Sequence, residues 1–569
     1  LKSGRLKVIP VTRYNGGHAK SLFLHLFCDP NIKRGDTNMK YLCGVFIGIA
    51  VMTGPLAAAT SDVTVSAQSN YNSWGPGWDS VYVIKNGIIT LAAVPKIGGR
   101  IMQYDLGTHA SMYVDSANKG KVPAVSALLG GFRTVASPQS GFPWPPSPVL
   151  EVAPYACSIK TNNPDSCVIY LESRIENTAE YPTLAGLQFK RTITVHKSSS
   201  HVKVMMTMVN KGAQTLPSHG IWDITERICR NNNLLDTTNI WLYFPLNPAS
   251  SMGSGKGYVQ LQGTDTTQWK RNVAAGGIMG VHYRRKDGKI GADSKAGWVC
   301  YVDRLDGYAY ATRFTYEEGK NYPDSGSSVE IYTSGSTTFL EEEVMGPLAA
   351  LAPNDSLRMV EDWYAARSKG PVLAVNDAGL ITKKLTIQQS NDTVRAQGVY
   401  GIFFQGTVKS VFKTAAGTTV AVADSQAVSP LDSFTFNAAL KVPANAAKLI
   451  LVSYGMSGAF IGNLDSISMQ PATISSRGAI LRDDYNLQET AFYAQGKHLS
   501  IQTALRGNYS ITLTDLGGKC VERGRGELNG RAVISLSTIP SGVYIVKMKL
   551  LGRRGDPTGA IERRVVVLQ

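Results

Sequence analysis

Patterns that define helical proteins are scarce in this sequence. Apolar residues seldom recur at the three-and-four spacing of an amphipathic helix, which argues against a helical bundle. Cysteine is thin as well, with seven in 569 residues. Cys229, Cys300 and Cys520 have no metal-ligand spacing, and no acidic run has the spacing of an EF-hand loop. No metal or other cofactor is implied. Cys157 and Cys167 flank Thr161-Asn162-Asn163-Pro164-Asp165, a turn between two strands. They read either as a cross-strand disulfide or as two free thiols.

A basic stripe interleaved with aromatics is also missing from the body of the chain, which argues against a nucleic-acid partner. The formal charge of +16 sits largely at the ends. Residues 1–59 carry a net +6 and residues 471–569 another +6, leaving +4 for 60–470. No apolar run is a comfortable transmembrane span. The nearest is Leu42 to Met52, preceded by Met39-Lys40 and followed by Gly54-Pro55 and Ala57-Ala58-Ala59. A short basic start, a short apolar stretch and small residues at an A-x-A site form a secretory-signal pattern. We expect residues 39–59 to be a signal peptide and 1–38 an upstream extension. The mature chain would then have no transmembrane span.

What is present is β structure. Val/Ile/Thr/Tyr runs recur between turns rich in Gly, Asn and Asp, with 56 glycines and 26 prolines overall, which reads as mostly β. At this length three or four units are expected. Val81 to Leu91 carries Asn86-Gly87 at its centre, the signal of a tight type I′ hairpin. Gly98-Gly99 before Arg100 suggests close backbone approach. Four prolines in Pro143-Trp144-Pro145-Pro146-Ser147-Pro148 exclude a central strand. That loop presents Phe142 and Trp144, either as a wall for a sugar ring or as core. His219 and Trp222 stand at a strand start. Thr338 to Trp363 then holds Glu341-Glu342-Glu343 on a strand. Alternation places Glu341 and Glu343 on one face and Glu342 on the other. Two carboxylates on one face need compensation from a cation, a ligand, water or a raised pKa.

Several motifs fall in a recognisable order. They are Asn86-Gly87, then Pro95-x-x-Gly98-Gly99-Arg100-Ile101, then Gly130-Gly131 and Pro138-Gln139, then Trp144-Pro145-Pro146. Asn210, Gly220-Ile221-Trp222-Asp223, Tyr322-Pro323-Asp324, Leu340-Glu341-x-Glu343 and Gly346-Pro347-Leu348 follow. Over about 71–363 this order resembles an uncharacterised bacterial family of the galactose-mutarotase-like superfamily. The resemblance implies a β-supersandwich over 60–370. By analogy with the sugar mutarotases it implies His219 as general acid and Glu341 as general base. Arg100, Trp144, Trp222 and Glu343 would be substrate-binding. The Asn-Arg-Ile and His-x-Tyr-Phe-Asn patterns of true aldose epimerases are not evident. The second histidine of their site has only His109 as a nearby counterpart. Glu341 and Glu343 could equally belong to an ion-pair network with Arg100, Arg133 or Arg358.

After Trp363 the rhythm of residues 371–470 suits an immunoglobulin-like β-sandwich, and 471–490 reads as a linker. Residues 491–569, with Ser541-Gly542-Val543-Tyr544 and the ending Arg563-Arg564-Val565-Val566-Val567, resemble the C-terminal sorting domain of the type IX secretion system. That likeness implies a small β-sandwich and the secretion machinery as partner. With the signal pattern, it implies a place in the medium or on the outer-membrane surface of a diderm bacterium. Leu550 to Ile561 reads as an insertion before the last strand. The expected role is carbohydrate-directed: binding, with mutarotase or epimerase catalysis and a purely structural surface role as alternatives. N-terminal sequencing of the secreted protein is expected to begin near Thr60; a start near Leu1 would contradict the signal reading.

Overall fold

The computed structural model describes residues 61–469 and 491–567, apart from breaks at 126, 232, 272, 274–276, 391, 496–497, 516–517, 537–538, 541 and 552–556. The segments 1–38, 39–59 and 471–490 lie outside the described residues. The regular structure of the described residues is almost entirely antiparallel β, in keeping with their β-branched and aromatic runs. Helices are single turns such as Pro148–Glu151. Among the described residues none is long and apolar enough to cross a membrane.

Two large sheets of eleven and ten strands take up residues 64–367. The middle of the first runs Phe132–Ser137, Leu216–Ile228, Phe339–Met345, Val329–Thr333, Gly288–Ala292. In the second, Ser356–Arg367 lies between Tyr308–Phe314 and Val202–Asn210. The core fills the space between the sheets. Phe132 of the first meets Trp363 of the second edge to face at 4.9 Å.

The strand Phe339–Met345 is paired on both sides: Glu341 with Glu226 and Tyr332, Glu343 with Ile224 and Glu330. Its alternation sends Glu342 between the sheets. There Arg227 donates from Nε at 2.8 Å and Nη2 at 3.2 Å, and Thr312 of the second sheet donates at 2.7 Å. Both members of this ion pair are buried. Leu340 and Val344 flank it in the same core. Glu341 and Glu343 point to the outer face.

The glycine pair is a close approach. Gly98 and Gly99 both have positive φ, and a Cβ on Gly98 would lie 1.8 Å from the Glu151 carbonyl oxygen. The hairpin after Lys85 differs from a type I′ turn, because only Gly87 has positive φ. Asn86 instead turns its side chain inward. Its Oδ1 accepts from the Ile88 and Ile89 amides, and its Nδ2 donates to the His196 and Ser199 carbonyls.

The disulfide reading is corrected. The turn between Ala156–Asn163 and Ser166–Glu172 is tighter than expected, closing at Asn163 opposite Ser166. Cys167 therefore faces Asn162, while Cys157 faces Leu171. Both thiols are free, and burial pushes them up to about 12 for Cys157 and about 11 for Cys167.

Residues 374–468 form two four-stranded sheets around Phe412, Phe436, Leu449 and Leu451. Phe403 joins them to the large sheets, stacking on Tyr364 at 4.3 Å and accepting from the Ser200 amide. The last part is a five-stranded sheet with Leu499, Ile501, Ile511, Leu513, Val546 and Met548 in its core. Leu550 and Ile561, the ends of the expected insertion, lie on two paired strands. Gly542–Leu551 and Pro557–Val567 pair up to Leu551 opposite Pro557.

Removing one partner of a buried ion pair leaves the other charge uncompensated. Glu342→Ala is expected to lower the unfolding free energy by about 3–5 kcal/mol, read from the denaturant midpoint. An unchanged midpoint would contradict the role given to the Arg227–Glu342 pair.

Candidate functional site

The outer face of the first sheet forms the floor of a cleft of about 250 Å³. Cross-strand register supplies the floor. Arg133 is opposite Ile224, which is opposite Glu343; Tyr332 lies between Glu341 and Lys289. Gln139 and Trp144 from the proline-rich loop and Gln262 from Val259–Gln262 complete the lining. The loop divides its aromatics: Phe142 is buried in the core, whereas Trp144 is 50% exposed. The Trp144 ring lies 6.3 Å from that of Trp222, inclined by 31°.

Under the cleft is a charge network. Trp222 Nε1 donates to Glu343 at 2.7 Å. Lys289 Nζ is 2.7 Å from Glu330 and 2.9 Å from Glu343, and 4.7 Å above the Trp222 ring centroid. Burial works against the Lys289 charge, but Glu343 and Glu330 outweigh it and hold its pKa above the ordinary lysine value. Arg133 contacts Glu151 and lies 3.7 Å from Glu341. Burial opposes its charge too, and Glu151 and Glu341 more than offset it.

Glu341 is the carboxyl that opens into the cleft. Burial, and then the neighbouring Glu343 carboxylate, push it up to about 8, against the pull of Arg133. Burial likewise raises Glu330 to about 8 against Lys289, and Glu226 to about 7 against Arg133 and Arg100. A group that titrates near neutral pH can give or take a proton there.

The structure does not bring all the expected residues together. Glu341, Trp144 and Trp222 line the cleft, and Glu343 accepts from the Trp222 indole Nε1. His219 and Arg100 are not among the lining residues. The His219 ring is buried, with Nδ1 and Nε2 each 3.2 Å from a backbone carbonyl, those of Ser137 and Thr183. Arg100 is fully buried, donating to Glu151 at 2.9 Å and to the Gly130 carbonyl at 2.9 Å. The close approach at Gly98 carries the chain against Glu151, so Arg100 is used in packing. Arg133 holds the place in the cleft expected for Arg100. It follows Gly130-Gly131-Phe132, so its strand was visible in the sequence, but its face depends on pairing with Leu216–Ile228. Lys289 and Tyr332 have no local signal and reach the cleft through long-range register alone. His109 lies elsewhere, stacked on Tyr308 at 3.9 Å. With Asp303 and Asp306 it brings possible metal-ligand atoms within 4.8 Å of one another. Its own nitrogens are already engaged by Asp303 and Tyr310.

No family model matches the sequence, and no curated protein does. Among solved structures the chain is similar to a protein of Synechocystis sp., at 14% identity and a TM-score of 0.37, over 51% of this chain and 96% of that one. It is also similar to a galactose mutarotase-like protein from Clostridium acetobutylicum, at 10% identity and a TM-score of 0.36, over 54% and 99%. A third is a galactose mutarotase-like protein from Lactobacillus casei, at 9% identity and a TM-score of 0.34, over 50% and 99%.

The raised Glu341 pKa makes stability depend on pH. Between its ordinary value of 4.5 and about 8, the folded state holds a proton that the unfolded state has released. The Glu341 contribution therefore falls as pH rises through that window. Glu341→Gln is expected to flatten this part of the decline when denaturant midpoints are measured from pH 4.5 to 8. Parallel profiles for the two proteins would contradict the assignment.

Proposed function

We propose that the protein is carbohydrate-directed, belongs to the galactose-mutarotase-like superfamily, and binds a sugar or polysaccharide in the Trp144–Glu341 cleft. The observation that carries this reading is the half-exposed Trp144 indole on a cleft whose lining sets Gln139, Gln262, Tyr332, Arg133, Lys289 and Glu341 around Trp222 and Ile224. A sugar ring has one apolar C–H face and a rim of hydroxyls. It therefore suits an aromatic platform with hydrogen-bonding groups around it. The motif order around Gly98-Gly99 and Leu340-Glu341 supports the same reading. Export belongs to the proposal, on the strength of the signal pattern at 39–59, Ser541-Gly542-Val543-Tyr544 and the ending Arg563-Arg564-Val565-Val566-Val567. The C-terminal sheet would be the part read by a type IX secretion system.

A second reading, anomerisation of a sugar, is favoured by one observation: Glu341 is pushed up to about 8, suited to moving the anomeric hydroxyl proton. His219 is occupied by two carbonyls and does not serve as the acid in this reading. Tyr332, opposite Glu341 in the strand pairing, is the lining hydroxyl placed to do so.

A glycan-array screen, coupled with anomerisation followed by NMR, tests both readings. Trp144→Ala is expected to weaken sugar binding by about tenfold through loss of stacking. Rate enhancement lost in Glu341→Gln would establish catalysis. Silence in both assays would contradict the carbohydrate role and leave a structural surface protein.

A further inference from the structure

We propose that the sugar taken by this cleft carries a free amino group, as in a 2-amino-2-deoxy sugar or an oligosaccharide of such units, with its ammonium received by Glu341. This deepens, and rests on, the carbohydrate reading of the cleft.

Five carboxyl groups (Glu151, Glu226, Glu330, Glu341 and Glu343) interact in one network with three cations, Arg100, Arg133 and Lys289. Each cation is engaged by a carboxyl other than Glu341: Arg100 by Glu151, Arg133 by Glu151, and Lys289 by Glu330 and Glu343. Among the described residues Glu341 has only the longer contact with Arg133, at 3.7 Å, and it alone of the five lines the cleft. Glu226, its cross-strand partner, is buried with one carboxyl oxygen lacking a hydrogen-bond partner. Glu343, two residues along the same strand, is in the same position. The face thus holds more carboxyls than cations, and at the point where a ligand enters a proton on Glu341 makes up the difference.

An incoming ammonium would supply that charge. It would donate to Glu341 in a charge-assisted hydrogen bond, and an exposed indole such as Trp144 favours a cation nearby. Neutral hydroxyls can hydrogen-bond here but bring no positive charge to take the place of the proton on Glu341. A uronate or sulfated sugar would bring another negative charge to a cleft with no uncommitted cation. The raised pKa of Glu341 fits this picture. In the empty cleft it keeps its proton near neutral pH, and binding of an ammonium would release it.

The test is calorimetric titration of the full chain at pH 7 with three ligands of equal length: glucosamine, N-acetylglucosamine and glucose oligosaccharides. The glucosamine ligand is expected to bind at least about tenfold more tightly than the N-acetylated one, the scale of a charged hydrogen bond. Its heat should vary with buffer ionisation enthalpy, as proton release requires. In Glu341→Gln the preference ratio should fall towards one. Equal or reversed preference, or no change of ratio in Glu341→Gln, would overturn the inference while leaving the carbohydrate reading intact. Failure of all three ligands and of the glycan array would overturn both.

Discussion

A strand covered on both faces cannot leave three consecutive carboxylates to water. Taking a charge out of water is costly unless a partner receives it. Glu341, Glu342 and Glu343 therefore dictate much of what surrounds them. Glu342 points between the two large sheets and is held by Arg227 and Thr312. Glu343 points the other way and is held by Lys289 and Trp222. Glu341, on the same face, has the weakest compensation, a 3.7 Å contact with Arg133. One period-two strand thus supplies both a buried ion pair in the core and a proton-holding carboxyl in a cleft.

The partners come from strands far apart in the chain, so meeting the charge requirement also helps to fix the sheet register. Arg227 and Ile224 lie on Leu216–Ile228, Lys289 on Gly288–Ala292 and Glu330 on Val329–Thr333. A one-residue slip would turn each cation to the opposite face. The cleft is therefore built on rigid strands. Only Gln139 and Trp144 come from a loop, and that loop is stiffened by its prolines. A rigid polar floor under one exposed indole is the physical basis of the carbohydrate proposal.

Much of this was legible in the sequence because it is local. The alternation of Glu341 to Glu343, the close approach at Gly98-Gly99 and the β class all follow from nearest-neighbour geometry. The Pro143–Pro148 loop was legible as a non-strand, but the separate fates of Phe142 and Trp144 were not, since burial is decided by what packs above them. Arg100 and Arg133 are both arginines just after glycine pairs, and no local signal says which one reaches the cleft. His219 was placed correctly on a strand, yet the carbonyls of Ser137 and Thr183 that occupy it come from distant segments. Of the two readings of Cys157 and Cys167 the structure has the free thiols, because the tight turn sets Cys167 opposite Asn162 and Cys157 opposite Leu171.

The proposed ligand site centres on Trp144 and Glu341. A crystal structure of the full chain soaked with the best-binding saccharide of the array tests this most directly. A sugar ring stacked on Trp144, with a polar atom within hydrogen-bond distance of the Glu341 carboxyl, is the predicted result. A sugar bound elsewhere, with the cleft empty, would contradict it.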